Sequence, residues 1–531
     1  MNKAFFILLL SSLPLFIIAQ NKPAKIEILN ADALEFDETL GKGAKRLIGN
    51  VQLKHDDATM YCDSAYFFTN NSIDAFGNVR VVQGDSLQLY GDSLKYNGNT
   101  KIAKLRGNIR LNSPEMSLSS NFLDYDRKKN FAFYYGGGTL INKKENNTLT
   151  SKQGYYYPIS RSFFFKDNVK LTNPEYVMTS DTLQYNELSE IVLFHGPTTI
   201  KAQDNFIYCE NGWYNTRKDE SKYFKNAYII TGTQRIEGDT LFYNRKKGIG
   251  ELTCNVLIND TAEKLQIFSD KAYIYEKNDS ALITQNALLV QLFSEDSLFL
   301  HADTFIIQTI KDTTHTLEIE SDSISIIENS QNEKADSTET KKEDKRILYA
   351  FHSVKFYKQD MQGKCDSLVY SFLDSAISMY KEPIIWNEEN QLTADFIKIR
   401  TYDTIVHSLY MINNAFIISE VDSARYNQIK GKDMQGSFAN NKLHRILVEG
   451  NGQSIYYGKD DNNKFIGVNV AESTNILIAV GEEKIEHITY IGSPQATLYP
   501  LNELSSEELL LKGFKWYANI RPRSMFDLFV K

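Results

Sequence analysis

The sequence predicts an all-β chain in which short strands stack, unit upon unit, into one elongated, solenoid-like structure. Three observations predict it. A turn signature recurs about every 29 residues, apolar residues alternate with period 2 on both sides of it, and 31 Tyr and 31 Phe accompany only 10 Pro in 531 residues. Abundant aromatics with few breakers favour strands. Hydrophobic residues, 42% of the chain, suffice for a large core and exclude global disorder. A net charge of −8 excludes a chain-wide basic surface for nucleic acid.

The first element is an export signal over residues 1–19. Lys3 precedes an apolar stretch from Ala4 to Ala19 that Ser11, Ser12 and Pro14 interrupt. It is shorter than the roughly 20 residues a membrane helix needs, and Ala19 offers a cleavage position before Gln20.

The repeat occupies residues 20–426. Its corner is a small residue, an acidic one, then large apolar residues, as in Cys62-Asp63-Ser64-Ala65-Tyr66 and Gly91-Asp92-Ser93-Leu94-Lys95-Tyr96. Counted by the acidic position, corners fall at Asp32, Asp63, Asp92, Asn121, Lys152, Asp181, Glu210, Asp239, Asp270, Asp303, Asp322, Asp366, Asp395 and Asp422. Three residues earlier sit Met60, Leu89, Leu118, Met178, Ile207, Ile236, Ile267 and Leu300. Two and four residues later come Leu94/Tyr96, Leu123/Tyr125, Leu183/Tyr185 and Leu241/Tyr243. Each set alternates like a half-buried strand, yet the offset between the sets is odd. The chain must therefore bulge at the corner to keep both facing inward. The small residue relieves crowding there, and the Asp carboxylate is expected to satisfy a turn N–H.

A second column, about 15 residues before each corner, reads Gly49-Asn50-Val51, Gly77-Asn78-Val79 and Gly107-Asn108-Ile109, with echoes at Asn168, Asn226, Asn255, Asn286 and Asn414. Gly-Asn tolerates positive φ. One such unit cannot bury its apolar face alone, so neighbours must stack.

Residues 328–346 break the pattern with a charge-dense run that reads as a disordered insert. Residues 427–500 are degenerate β-repeats, with strands expected around Val448 and Ile476. Residues 501–531 form a capping or docking segment, with a short amphipathic helix expected over Asn502 to Lys512 and an aromatic tail after it.

An export signal, Gly-Asn-Val turns and a small-Asp-x-Leu-x-Tyr corner every 29 or so residues resemble the OstA/LptA family over most of residues 26–426. The resemblance implies a two-sheet β-jellyroll that carries lipopolysaccharide across the periplasm, here a variant of about fourteen units. It implies that the inward columns named above (Met60, Leu89, Leu94, Tyr96, Leu118, Leu123, Tyr125, Met178, Leu183, Tyr185, Ile207, Ile236, Leu241, Tyr243, Ile267 and Leu300) contact lipid A acyl chains. It also implies partners: lipopolysaccharide and the other jellyroll components of the transport bridge at the inner and outer membranes. The alternative is a structural or adhesive β-solenoid of the cell envelope with a packed core.

No enzyme or cofactor motif stands out. The acidic column supplies one carboxylate per unit, unlike calcium-binding rolls with several oxygen ligands per turn. The eight histidines share no column, so neither zinc ligation nor any cofactor is expected. Cys62, Cys209 and Cys365 occupy the small-residue position and Cys254 the other turn, which favours free thiols over disulfides. Small +2 residues (Ala65, Gly154, Gly212, Ala272, Ala424) hint at room for a ligand but also fit ordinary taper.

Overall fold

The computed structural model describes residues 25–36, 43–83, 87–112, 116–143, 146–157, 159–294, 296–310, 345–402, 405–439, 442–460, 462–481 and 485–530. The expected signal peptide, the corner at Asp322 and residues 328–344 of the expected insert lie outside these. The last two residues of that insert, Lys345 and Arg346, begin a strand, Lys345–Tyr357. The described residues form 37 strands, and their long segments of regular structure are all β. They divide into two compact units, up to Gln203 and from Asp204 onward.

Both units are antiparallel meanders of kinked strands. In the first, Lys45–His55, Ala58–Phe68, Ser72–Gln83, Leu87–Asn97, Ile102–Asn112 and Met116–Asp126 pair each with the next. Two short strands, Glu27–Asn30 and Ala33–Phe36, lie against Lys45–His55 and are exposed along their length. The bulge the odd offset demands is present at each corner. Ile48 faces Ser64 and Val51 faces Cys62, so Gly49-Asn50 together oppose the single residue Asp63.

The extra residue is accommodated by consecutive left-handed residues. Gly49 and Asn50 have φ of 74° and 45°, Gly77 and Asn78 have 73° and 43°. Left-handed pairs recur at 107–108, 136–137, 167–168, 225–226, 254–255, 285–286, 352–353, 381–382, 413–414, 450–451 and 492–493. Glycine is needed at position 77 twice over, because a Cβ there would also stand 2.3 Å from Asp63 Oδ2.

The corner carboxylate works differently from the expectation. It accepts from the Asn side chain of the next strand: Asn78 Nδ2 donates to Asp63 at 2.9 Å, Asn108 to Asp92 at 2.8 Å, Asn255 to Asp239 at 3.0 Å and Asn286 to Asp270 at 2.7 Å. The corner's own N–H instead donates to a backbone carbonyl in the left-handed pair, as Asp239 does to Cys254 at 2.9 Å. The two sequence columns are therefore halves of one device. Each Asn binds the corner before it in the chain.

Late in the chain the corner is not at Asp422. That residue ends the strand Phe416–Asp422, and its carboxylate accepts the N–H groups of Ala424 and Arg425 in a hairpin turn. The kinks continue at Lys432, whose N–H bonds Gly450 O at 2.8 Å, and at Thr474, which bonds Gly492 O at 2.9 Å. The strands expected around Val448 and Ile476 are Lys442–Lys459 and Phe465–Val480.

Residues 502–512 form turns instead of the expected helix. The backbone there is engaged elsewhere: buried Gln428 donates from Nε2 to Leu509 O (2.8 Å) and accepts from Leu511 N–H at Oε1 (2.9 Å). Gln391 repeats this with Lys515 O and Tyr517 N–H, each at 2.7 Å. Arg521 then donates to Gln362 Oε1 (2.7 Å), and Phe529 packs on His301 with ring centroids 4.5 Å apart. The last thirty residues thus form a strap that crosses the strands of the second unit transversely. Trp386, Gln391, Ile418, Gln428 and Ile455 are successive cross-strand neighbours beneath it.

Candidate functional site

None of the expected inward residues is exposed. In the first unit Met60, Leu94, Leu123, Met178 and Leu183 are buried, and Leu89, Tyr96, Leu118, Tyr125 and Tyr185 are half-buried. In the second unit Ile236, Leu241, Ile267 and Leu300 are buried, and Ile207 and Tyr243 half-buried. Of the two residues expected outside, Lys95 is exposed and Gln184 half-buried.

Burial in the first unit is complete beside the kink and mixed along the arms. Beside it, Leu47, Ala65, Ala75, Leu105, Val79, Ile109 and Phe194 are all at 1% exposure or less. Farther out, Val81, Leu89, Leu111, Leu118 and Leu140 on one arm and Tyr96, Ala103, Tyr125 and Ala132 on the other are half-buried, but the same cross-strand rows are buried at Leu53, Met60, Leu149 and Met178 and at Ile73 and Phe163. The two arms of each strand meet in a packed vertex, with their apolar faces turned toward one another across the interior. Each residue sealed in the vertex contributes roughly 1.5–3 kcal/mol if as large as Leu or Phe. The small +2 residues do not open room at the vertex. A Cβ on Gly154 would stand 2.1 Å from the Tyr134 ring, which already fills that space.

Charged residues in the tip turns bridge the mouth. In the first unit the turn Asp56-Asp57 sits at the tip of one arm, and Tyr96, Lys101 and Arg127 at the tip of the other. Lys101 Nζ lies 2.9 Å from Asp56 Oδ2, Arg127 Nη2 lies 2.7 Å from Asp57 Oδ1, and Tyr96 Oη lies 2.8 Å from His55 Nδ1. The hydrogen bond from Lys101 holds the Asp56 carboxyl below its ordinary range, and one from Gln83 does the same for Asp57. In the second unit Arg346 reaches Asp260 at 3.5 Å. Burial pushes the Asp260 carboxyl up, but hydrogen bonds from Gln234, Glu263 N–H, Thr233 and Ala262 N–H outweigh it and leave it below the usual value. The sequence reading missed these bridges. Charges in tip turns were visible, but a pairing across 45 or 70 residues leaves no local signal.

The cysteines are free, with Cys62, Cys209 and Cys365 buried in the corner column and Cys254 exposed. Burial pushes their thiols up, to about 11 for Cys62 and about 12 for Cys209 and Cys365. Among the described residues no group of three or more His, Cys, Asp or Glu is placed to hold a metal ion, and no helix is long and apolar enough to cross a membrane.

Kinked antiparallel repeats in this register define a β-jellyroll. Residues 23–181 match the model of the OstA-like protein family, in keeping with the OstA-like resemblance read from the repeat. The curated proteins contain no match. Among solved structures, the chain is similar to LptH of Pseudomonas aeruginosa, described as the LptA homologous periplasmic component of the conserved lipopolysaccharide transport device. Identity is 14%, coverage 21% of this chain and 85% of that one, and the TM-score 0.20. A likeness that low carries no weight for the architecture, which rests on the kinks and their register.

Proposed function

We propose that the protein is a non-catalytic carrier of lipopolysaccharide in the periplasm, holding lipid A acyl chains against the inner walls of its cleft on the way to the outer membrane. The observation that carries this reading is the half-buried stretch in the middle of the two apolar rows, Val81, Leu89, Leu111, Leu118 and Leu140 on one arm and Tyr96, Ala103, Tyr125 and Ala132 on the other. Apolar side chains left partly open between sealed neighbours offer acyl chains a surface to lie on. Each methylene shielded there gains about 0.8 kcal/mol, and repetition of the same wall keeps neighbouring positions nearly equal in energy. The OstA-like segment supports the same role. Export through the segment at residues 1–19 belongs to this reading, as do lipopolysaccharide-bridge components pairing with the exposed strands Glu27–Asn30 and Ala33–Phe36, an open edge of the kind that accepts a partner strand.

Photocrosslinking tests it. A photoreactive residue at Leu89, Leu118, Tyr96 or Tyr125 is expected to trap lipopolysaccharide in cells, and one at Lys95 or Arg110 is not. Equal labelling of both sets would leave the packed-core envelope solenoid as the better description.

A further inference from the structure

The clasp across the first unit's mouth is asymmetric in a way that the second unit's is not. The Arg127 side chain is only 16% exposed, and its nearest partner, Asp57, is 60% exposed on a tight turn. A sequestered guanidinium must keep an anion beside it, because leaving such a charge unpaired is costly. A well-hydrated carboxylate loses little by returning to water. The cation is therefore the fixed member of the pair and the anion the replaceable one. In the second unit the roles reverse: Asp260 is 5% exposed, and Arg346, at 35%, is the freer partner. Lys101 adds a second cation beside Arg127, and the half-buried rings of Tyr96 and Tyr125 lead from both into the interior.

We propose that Arg127 and Lys101 form a headgroup site for an anionic, phosphate-bearing amphiphile entering the first unit sideways through its mouth, with the phosphate displacing the exposed Asp57 while Asp56, 29% exposed and 2.9 Å from Lys101, stays in place as the acyl chains pass inward. This rests on the acyl-binding reading of the cleft and adds to it which end of the lipid is recognised, and where. Guanidinium meets phosphate in two parallel charge-assisted hydrogen bonds, which favours the exchange over the single close contact made with Asp57. Asp57 then acts as the placeholder that keeps the mouth closed while it is empty.

The test uses the full mature chain and two fluorescent probes: an acylated disaccharide lipid carrying two phosphates, and the same lipid with both removed. Arg127→Gln is expected to weaken the phosphorylated probe about tenfold, the loss of one strong charge-assisted contact, and to leave the other unchanged. Arg127→Lys should restore part of the difference, and Asp57→Asn should speed uptake of the phosphorylated probe alone. Thermal unfolding of each variant reports whether the unit is intact. If Arg127→Gln weakens both probes equally, or Asp57→Asn slows uptake, the clasp is a structural rivet and the headgroup site is wrong. If the wild-type chain binds neither probe, the acyl-binding reading falls with it. Binding of both probes with no preference for phosphate overturns the headgroup site alone.

Discussion

Asn78 shows how much one residue does in this fold. It adopts φ of 43°, follows a glycine in the same left-handed region, and donates its amide to the carboxylate of Asp63. Asparagine suits all three tasks, since its short polar side chain tolerates the left-handed region and points a donor at the corner. Asn78→Val retains none of this. A β-branched residue there is expected to cost roughly 1–2 kcal/mol for the backbone alone, besides the lost hydrogen bond. Asn78→Gly keeps the backbone and loses only an exposed hydrogen bond of about 0.5–1.5 kcal/mol. Urea unfolding of the two variants should rank them in that order. The left-handed pair also explains why the repeat looked stronger at some units than others. Gly-Asn announces itself in a sequence, but His352-Ser353 and Lys381-Glu382 adopt the same geometry without advertising it.

At the scale of the element, what the sequence revealed depended on whether a contact was periodic. The inward rows and the kink were legible because each recurs at a fixed offset and the odd spacing across the corner has one steric solution. The strap was not. Asn502 to Lys512 carries a helix-like apolar spacing, yet its carbonyl and N–H groups are claimed by Gln428, and no propensity scale registers a partner 81 residues upstream. Asp422 misled for the opposite reason: it has the acidic residue at nearly the right interval, but a hairpin needs a carboxylate as much as a bulge does. The strap's anchors are open to test. Gln391 is fully buried and serves Lys515 O and Tyr517 N–H together. Gln391→Ala strands both groups and is expected to cost about 2–3 kcal/mol, with faster amide exchange at 515–517 as the readout. Gln391→Glu, which buries a carboxylate against the Lys515 carbonyl with no donor between them, should cost at least as much.

For the whole molecule, titration integrates what burial does locally. Cys62, Cys209 and Cys365 stay protonated in the fold up to about pH 11 to 12, while an unfolded thiol ionises near 8.5. Burial also raises the hydroxyls of Tyr134 and Tyr370. Above pH 8.5 the unfolded chain therefore releases protons that the native chain retains, so stability is full below that pH and declines as pH rises toward 11–12. Urea midpoints across pH 7 to 10.5 should show this fall, and replacing the three corner cysteines by alanine should flatten it. A midpoint that stays level would mean that the thiols ionise freely in the native state.

The strap has a consequence for how the polypeptide matures. Its contacts span 81 residues at Gln428, 124 at Gln391, 159 at Gln362 and 175 at Lys355. The strands it covers are thus made well before their cover arrives, and until then each buried glutamine amide faces water. Contacts of increasing separation are most cheaply closed in that order, each shortening the loop that the next must bring together. The second unit accordingly closes like a zip, from Gln428 back toward Lys355, against the direction of synthesis. A newly made chain passes through an interval in which every strand is in register but one flank is still uncovered, and in that interval a chaperone or a neighbouring chain competes for the strap's place.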